Sequence, residues 1–217
     1  MKRKTAVMSV VGLTIALAAT GIALAATGTV LYDFNSVDCG NFGTCDGQAV
    51  DSPSVEGKAW EMDGTGSWKY LNPDSDLFAA TSASNLSMRI YYSTYPSGGG
   101  VDDFSWLKDS TRVLHITVNE SGYIGHDSGS ISNTSIQIPK SEWVELQFHN
   151  VDFGANNFDL AVYDSGGSLV GEFSGSFENG ASNFDRFNLE TETFGNGGHF
   201  YADFIGANDA APASTVS

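Results

Sequence analysis

The chain is short of positive charge, short of cysteine, and without any sustained helical period. It carries ten lysines and arginines against 26 aspartates and glutamates, a formal net charge of −16. So acidic a surface is repelled by phosphate backbones and anionic lipid, which excludes nucleic acid and an anionic membrane surface as partners. Salt adaptation and divalent-cation binding both fit the surplus, and its spread along the chain suits a solvated surface better than one dedicated site. The two cysteines, Cys39 and Cys45, lie in CGNFGTC. In an exported chain this spacing closes a small loop disulfide, whereas a metal site needs further ligands that are not grouped there. The four histidines, His115, His126, His149 and His199, are too scattered for a zinc motif. There is no EF-hand spacing and no G-x-S-x-G nucleophile elbow.

The ends of the chain carry their own signals. Lys2, Arg3 and Lys4 precede an uncharged run from Thr5 to Ala26 that includes Ala23-Leu24-Ala25. A basic start, an apolar stretch and an A-x-A site describe a secretory signal peptide over residues 1–25; an uncleaved anchor is the alternative, because the run approaches bilayer-spanning length. The expected organisation is a signal peptide over 1–25, one domain over 26–207 and a small, polar, flexible tail over 208–217. That places the domain outside the cytoplasm, secreted or at the cell surface, with no membrane insertion once the signal is cut.

Between these ends, Gly, Ser, Asn and Asp interrupt short apolar runs every few residues, the pattern of an all-β antiparallel sandwich. Leu86, Met88, Ile90 and Tyr92 alternate with Ser87, Arg89, Tyr91 and Ser93, and Val144, Leu146 and Phe148 with Glu145, Gln147 and His149. Phe158–Tyr163 and Ser168–Phe173 flank Asp164-Ser165-Gly166-Gly167 and read as a hairpin. Lys58–Met62 and Trp68–Leu71 flank Asp63-Gly64-Thr65-Gly66 and read as another. Arg186–Ala207 reads as two strands doubling back at Asn196-Gly197-Gly198. In its second half Phe200, Ala202, Phe204 and Gly206 share one side, and Tyr201, Asp203 and Ile205 the other.

Candidate chemistry sits on the polar faces. Glu190 and Glu192 are two positions apart on one strand face, and side chains from such positions can converge to the separation of a retaining glycosidase's acid and nucleophile. A solvated acidic face is the plainer reading. A second constellation combines the polar faces of several strands: Arg89, Tyr91, His115, Gln147, His149, Asp159, Tyr163, Asn188 and Glu190. If these strands share one face, an Arg neutralises a uronate and a Tyr/His pair serves as acid and base. Of the tryptophans, Trp60 and Trp143 read as core, while Trp68 and Trp106, beside glycine- and serine-rich turns, are candidates for an exposed sugar-stacking platform.

Several stretches resemble the concanavalin-A-like lectin/glucanase superfamily, in particular laminin-G-like jelly rolls. They are VLYDFNS (30–36), GKAWEMDGTGSWKY (57–70), IPKSEWVELQFHNV (138–151) with FDLAVYDSGGSLV after it, and HFYADFIGA (199–207). The resemblance implies a two-sheet jelly-roll sandwich and a family that includes lectins, adhesion modules, glucanases, lyases and structural shells. Its glucanase branch uses the pattern E-x-D-x-(x)-E, from which Leu189-Glu190-Thr191-Glu192-Thr193 departs by lacking both the aspartate and a third carboxylate. Related jelly rolls hold Ca²⁺ through acidic side chains at a loop rim, which points to calcium as the candidate cofactor, with Asp63, Asp102 and Asp103 as ligands.

The expectation is a secreted, non-catalytic jelly roll that binds a glycan or another cell-surface component through Arg89, Tyr91, Trp106, Gln147, His149 and Glu190. An extracellular glycoside hydrolase or polysaccharide lyase is the first alternative. A self-assembling envelope or filament subunit is the second, since open strand edges permit self-association.

Overall fold

A computed structural model describes residues 29–34, 42–55, 57–64, 69–73, 81–191 and 196–208. The expected signal peptide over 1–25, Cys39 and the bridge it would form with Cys45, Trp68, Glu192 and the expected tail beyond Asn208 lie outside the described residues. Every regular element among them is a strand: β1 (Thr29–Asp33), β2 (Phe42–Cys45), β3 (Gln48–Val50), β4 (Ala59–Asp63), β5 (Lys69–Pro73), β6 (Asn85–Thr94), β7 (Val101–Lys108) and β8 (Thr111–Asn119). There follow β9 (Tyr123–Asp127), β10 (Ile131–Gln137), β11 (Trp143–Asp152), β12 (Asn157–Asp164), β13 (Leu169–Ser176), β14 (Arg186–Thr191) and β15 (His199–Asn208).

The strands form two antiparallel sheets packed as a sandwich. The eight-stranded sheet runs β13-β12-β11-β6-β15-β4-β3, with β1 also paired to β15; the seven-stranded sheet runs β10-β9-β8-β7-β14-β5-β2. Period-two alternation drives the assembly, because each sheet must bury its apolar face against the other. Leu86, Met88, Ile90 and Tyr92 of β6 and Val144, Leu146 and Phe148 of β11 are buried from one side. Phe104 and Trp106 of β7 and Phe187 and Leu189 of β14 meet them from the other. Rings lock the layers together: Trp106 lies edge-on to Phe148 at 4.6 Å between centroids, and Phe104 meets Phe200 at 5.1 Å.

The β12–β13 hairpin forms as expected, but two other expected hairpins do not. β4 and β5 belong to different sheets, as do β14 and β15. Their connections carry the chain across the sandwich instead of turning it back beside itself. At the second crossing Gly198 donates its N–H to the Asp102 carboxylate at 3.0 Å, and a Cβ there would collide with Asp102 Oδ2, so only glycine fits.

The alternation expected along β15 is also corrected. Ala202 pairs with Ile90 and Ile205 with Met88, so three residues on β15 span two on β6. This bulge re-phases the strand and brings Ile205 into the core beside Ala202, although simple alternation puts it opposite.

Candidate functional site

Each sheet has a second face turned away from the core, and the polar residues singled out above divide between the two. Arg89, Tyr91, Gln147, His149, Asp159 and Tyr163 lie on the outer face of the eight-stranded sheet. His115, Asn188 and Glu190 lie on the outer face of the seven-stranded one. The six expected ligand-binding residues therefore do not share a cleft. Trp106 belongs to neither face: it is 1% exposed in the core, so its ring offers no platform. Trp143, read as core, is instead half-exposed on an outer face. Position 143 falls in register with Tyr91, an outer residue of β6, and that register overrides the apolar neighbours that made it look buried.

On the eight-stranded sheet, register builds an aromatic ladder. Trp143 opposes Tyr91, and Tyr91 opposes Tyr201. Their centroids are 5.6 and 5.7 Å apart, and His199 continues the row at 5.1 Å from Tyr201. Glu61 anchors the far end, accepting hydrogen bonds from the Tyr201 hydroxyl at 3.0 Å and from Gln48, with His199 Nε2 at 2.8 Å. Burial and the Glu61 carboxylate push the Tyr201 hydroxyl up to about 12. It is therefore a fixed donor at neutral pH and not a catalytic base.

Farther along the same face, Arg89 and Glu145 form a buried ion pair at 3.2 Å, and Gln147 donates to Glu145 at 2.8 Å. Next comes a groove of about 610 Å³ with His149, Asn150, Asp159, Glu172 and Ser174 as a polar fence around Ala161. Asp159 accepts from Asn150 at 2.8 Å and Ser174 at 2.6 Å, and these bonds hold its carboxyl below its ordinary range. From the Trp143 row to the His149 row is six residues of β11, so the strip measures roughly 20 Å.

Burial holds His149 below its ordinary 6.5, against the opposing pull of Asp159 and Glu172. His126, packed between Phe158 and Phe173, is lowered for the same reason. A histidine lowered by folding takes up a proton more readily when unfolded. Its contribution is therefore present above pH 6.5 and is lost as pH falls through the folded value. The raised His115 acts in the opposite sense, so the test is by difference: His126→Phe should lose less melting temperature than the parent between pH 7 and 5 in a series of thermal melts. An unchanged slope would remove His126 as a cause.

On the seven-stranded sheet the outer face is a buried polar network. Glu190 opposes Asp103, Asp103 opposes Thr117, and Ser105 opposes both Asn188 and His115. His115 Nε2 is 3.0 Å from Asp103 Oδ1, while its Nδ1 faces Glu178 at 3.2 Å and Asp127 at 3.7 Å. Burial disfavours the imidazolium, but the bond to Asp103 and the neighbouring carboxylates outweigh it, and His115 titrates above its ordinary 6.5. Arg112 donates to Glu190 at 2.6 Å, as does Asn188 at 3.3 Å.

Arg112, Asp127 and Glu178 were not singled out in the sequence, and for Arg112 the reason is a bulge. Trp106 pairs with Leu114 but Leu107 with Arg112, so one extra residue, Val113, turns Arg112 onto the polar face. Glu178 arrives from the β13–β14 connection, a long-range contact with no local signature.

The acidic residues expected to hold a metal are not gathered into one site. Asp102 and Asp103 are successive on β7 and point to opposite faces, Asp63 ends β4, and their carboxylates form no metal-sized group among the described residues. His115, Asp127 and Glu178 do form one, each offering a ligand atom within 4.8 Å of the others. No helix among the described residues is long and apolar enough to cross a membrane.

No family model matches the chain. "Structural protein 27" of a virus (isolate Australia/Victoria) is 32% identical over 113 residues, which cover 49% of this chain and 20% of that protein. The chain thus matches only about a fifth of that relative's length. Among solved structures, a sialidase superposes with a TM-score of 0.57 at 11% identity, over 84% of this chain and 18% of that one. Lectin I-B4 from Griffonia simplicifolia superposes at 0.52 and 11% identity, over 83% and 98%. An enzyme and a lectin share this architecture almost equally, so these likenesses establish fold and leave activity open. The chain has the concanavalin-A-like jelly-roll fold.

Proposed function

We propose that the domain is a non-catalytic binding module for a glycan or another glycosylated surface component, displayed outside the cytoplasm. What supports this reading is the aromatic row Trp143–Tyr91–Tyr201 on the outer face of the eight-stranded sheet, in which Trp143 and Tyr91 are partly exposed and the buried Tyr201 backs them. The partly exposed rings of Trp143 and Tyr91 present apolar area to the faces of sugar rings, while Gln147, His149, Asp159 and Ser174 offer donors and acceptors to hydroxyls. Tyr91, Gln147 and His149 keep the binding role expected of them. Arg89 becomes the buried brace beneath them, tied to Glu145.

Catalysis is the weaker reading. Asp103 and Glu190 are cross-strand neighbours, but each is already bonded to a cationic or titratable partner, His115 and Arg112, and neither faces open solvent. Similarity to a viral structural protein favours a second reading, in which the same domain is part of a self-associating surface assembly. An exported chain with its signal over 1–25 and its domain over 26–207 suits both.

A glycan array should give binding without release of reducing ends or unsaturated products. Trp143→Ala should weaken that binding about tenfold, in line with roughly 1.4 kcal/mol for one stacked ring. A blank array, together with concentration-dependent polymers in light scattering, would favour assembly. Turnover of any arrayed glycan would sink the non-catalytic reading.

A further inference from the structure

We propose that His115, Asp127 and Glu178 form a binding site for one divalent transition-metal ion of the zinc class. The site lies on the seven-stranded sheet, away from the aromatic strip, and stands or falls independently of glycan binding.

Two of the three ligand-atom separations are close to what a metal requires, and the third, between Asp127 and Glu178, is within 4.8 Å. Bonds of about 2.0–2.1 Å in a tetrahedron put ligand atoms roughly 3.3–3.4 Å apart. The His115 Nδ1 distances of 3.2 Å to Glu178 Oε2 and 3.7 Å to Asp127 Oδ2 straddle that value. A proton on Nδ1 serves the group less well, because one N–H has two carboxylates to satisfy. A cation at their common point serves all three. In the neutral tautomer that carries its proton on Nε2, donated to Asp103 across 3.0 Å, His115 turns a bare Nδ1 lone pair toward both carboxylates. Asp103 then fills the place of the carboxylate that orients a metal-bound histidine from behind.

Charge points the same way. The network holds the carboxylates of Asp103, Asp127, Glu178 and Glu190 against Arg112 and His115. Even with His115 protonated it is short of positive charge by two, in a place where several of its members are buried. Unused hydrogen-bonding capacity stands alongside. Ser105 Oγ, on the residue opposite His115, and Thr117 Oγ1, two residues along β8 on the same face, are buried without a partner.

Each ligand is also held in place by its own segment. The Asp127 Oδ1 accepts the Gly129 N–H at 2.8 Å, which orients the other oxygen. The Glu178 N–H donates to the Val113 carbonyl at 2.8 Å, and Asn179 donates to the Arg112 carbonyl at 2.8 Å. These two bonds pin the β13–β14 connection onto β8. A nitrogen ligand favours zinc-class ions over Ca²⁺, which takes oxygen.

The test is calorimetric titration of the EDTA-stripped, full-length protein with ZnCl₂, paired with thermal melts. One saturable site and a raised melting temperature are expected. Asp127→Asn and Glu178→Gln, at partly exposed positions, should leave the metal-free melt near that of the parent and weaken Zn²⁺ at least about tenfold each. His115→Gln should abolish binding; if it does not fold, the two carboxylate variants decide the matter. Absence of saturable binding at millimolar Zn²⁺, or unchanged affinity in both carboxylate variants, would overturn the site. Equal affinity for CaCl₂ would overturn the assignment to the zinc class.

Discussion

Glu145→Ala should lower the unfolding free energy by about 3–5 kcal/mol, the usual cost of removing one partner of a buried ion pair. Arg89 and Glu145 face each other across β6 and β11 with side chains only 1% and 6% exposed, 3.2 Å apart. Taking away the carboxylate leaves the guanidinium buried with part of its hydrogen bonding lost, and Gln147 loses the acceptor for its amide. A urea titration with unchanged slope and a lower midpoint would carry the result. The double variant Arg89→Met with Glu145→Leu should recover most of the loss, because two apolar side chains of similar size need no compensating charge. A Glu145→Ala protein as stable as its parent would show that the pair does not brace the outer face.

Trp106→Ala should cost a comparable 3–5 kcal/mol, for a different reason. Its indole fills the middle of the sandwich against Phe148, and truncation leaves a cavity that β strands held in register on both sides cannot collapse to fill. For a domain of this size each kcal/mol lowers the melting temperature by roughly 2–4 °C. Trp106→Phe should be milder. The protein that remains folded should bind ligand as before, which separates the core role from the platform role that its neighbouring turns suggest in sequence. Loss of binding with an unchanged melting temperature would return Trp106 to the surface.

These two residues mark what sequence can and cannot disclose in a β sandwich. Alternation placed Leu86, Met88, Ile90 and Tyr92 of β6 and Val144, Leu146 and Phe148 of β11 in the core correctly, because these two strands pair without a bulge over that stretch. It said nothing of which strands are neighbours, and so it joined Arg89 and His149 to His115 and Glu190, which occupy opposite outer faces of the sandwich. Register decides the rest: Trp143 lies half-buried on an outer face because it pairs with Tyr91, and Ile205 is buried because a bulge adds a residue before it. The polar cluster around His115 draws on β7, β8, β9 and the β13–β14 connection. No local spacing announces a group assembled from segments so far apart.

The pairing of β1 with β15 bears on how the domain carries load. Thr29 lies opposite Ala207, so the first and last described strands run antiparallel with their outer ends side by side. Both flanks of a longer polypeptide can leave from one corner without being held apart, which lets such a domain sit as an insert or on a stalk. Tension between those flanks falls on the terminal backbone bonds one after another. The first strand would peel away like a zipper while the two sheets behind it stay closed.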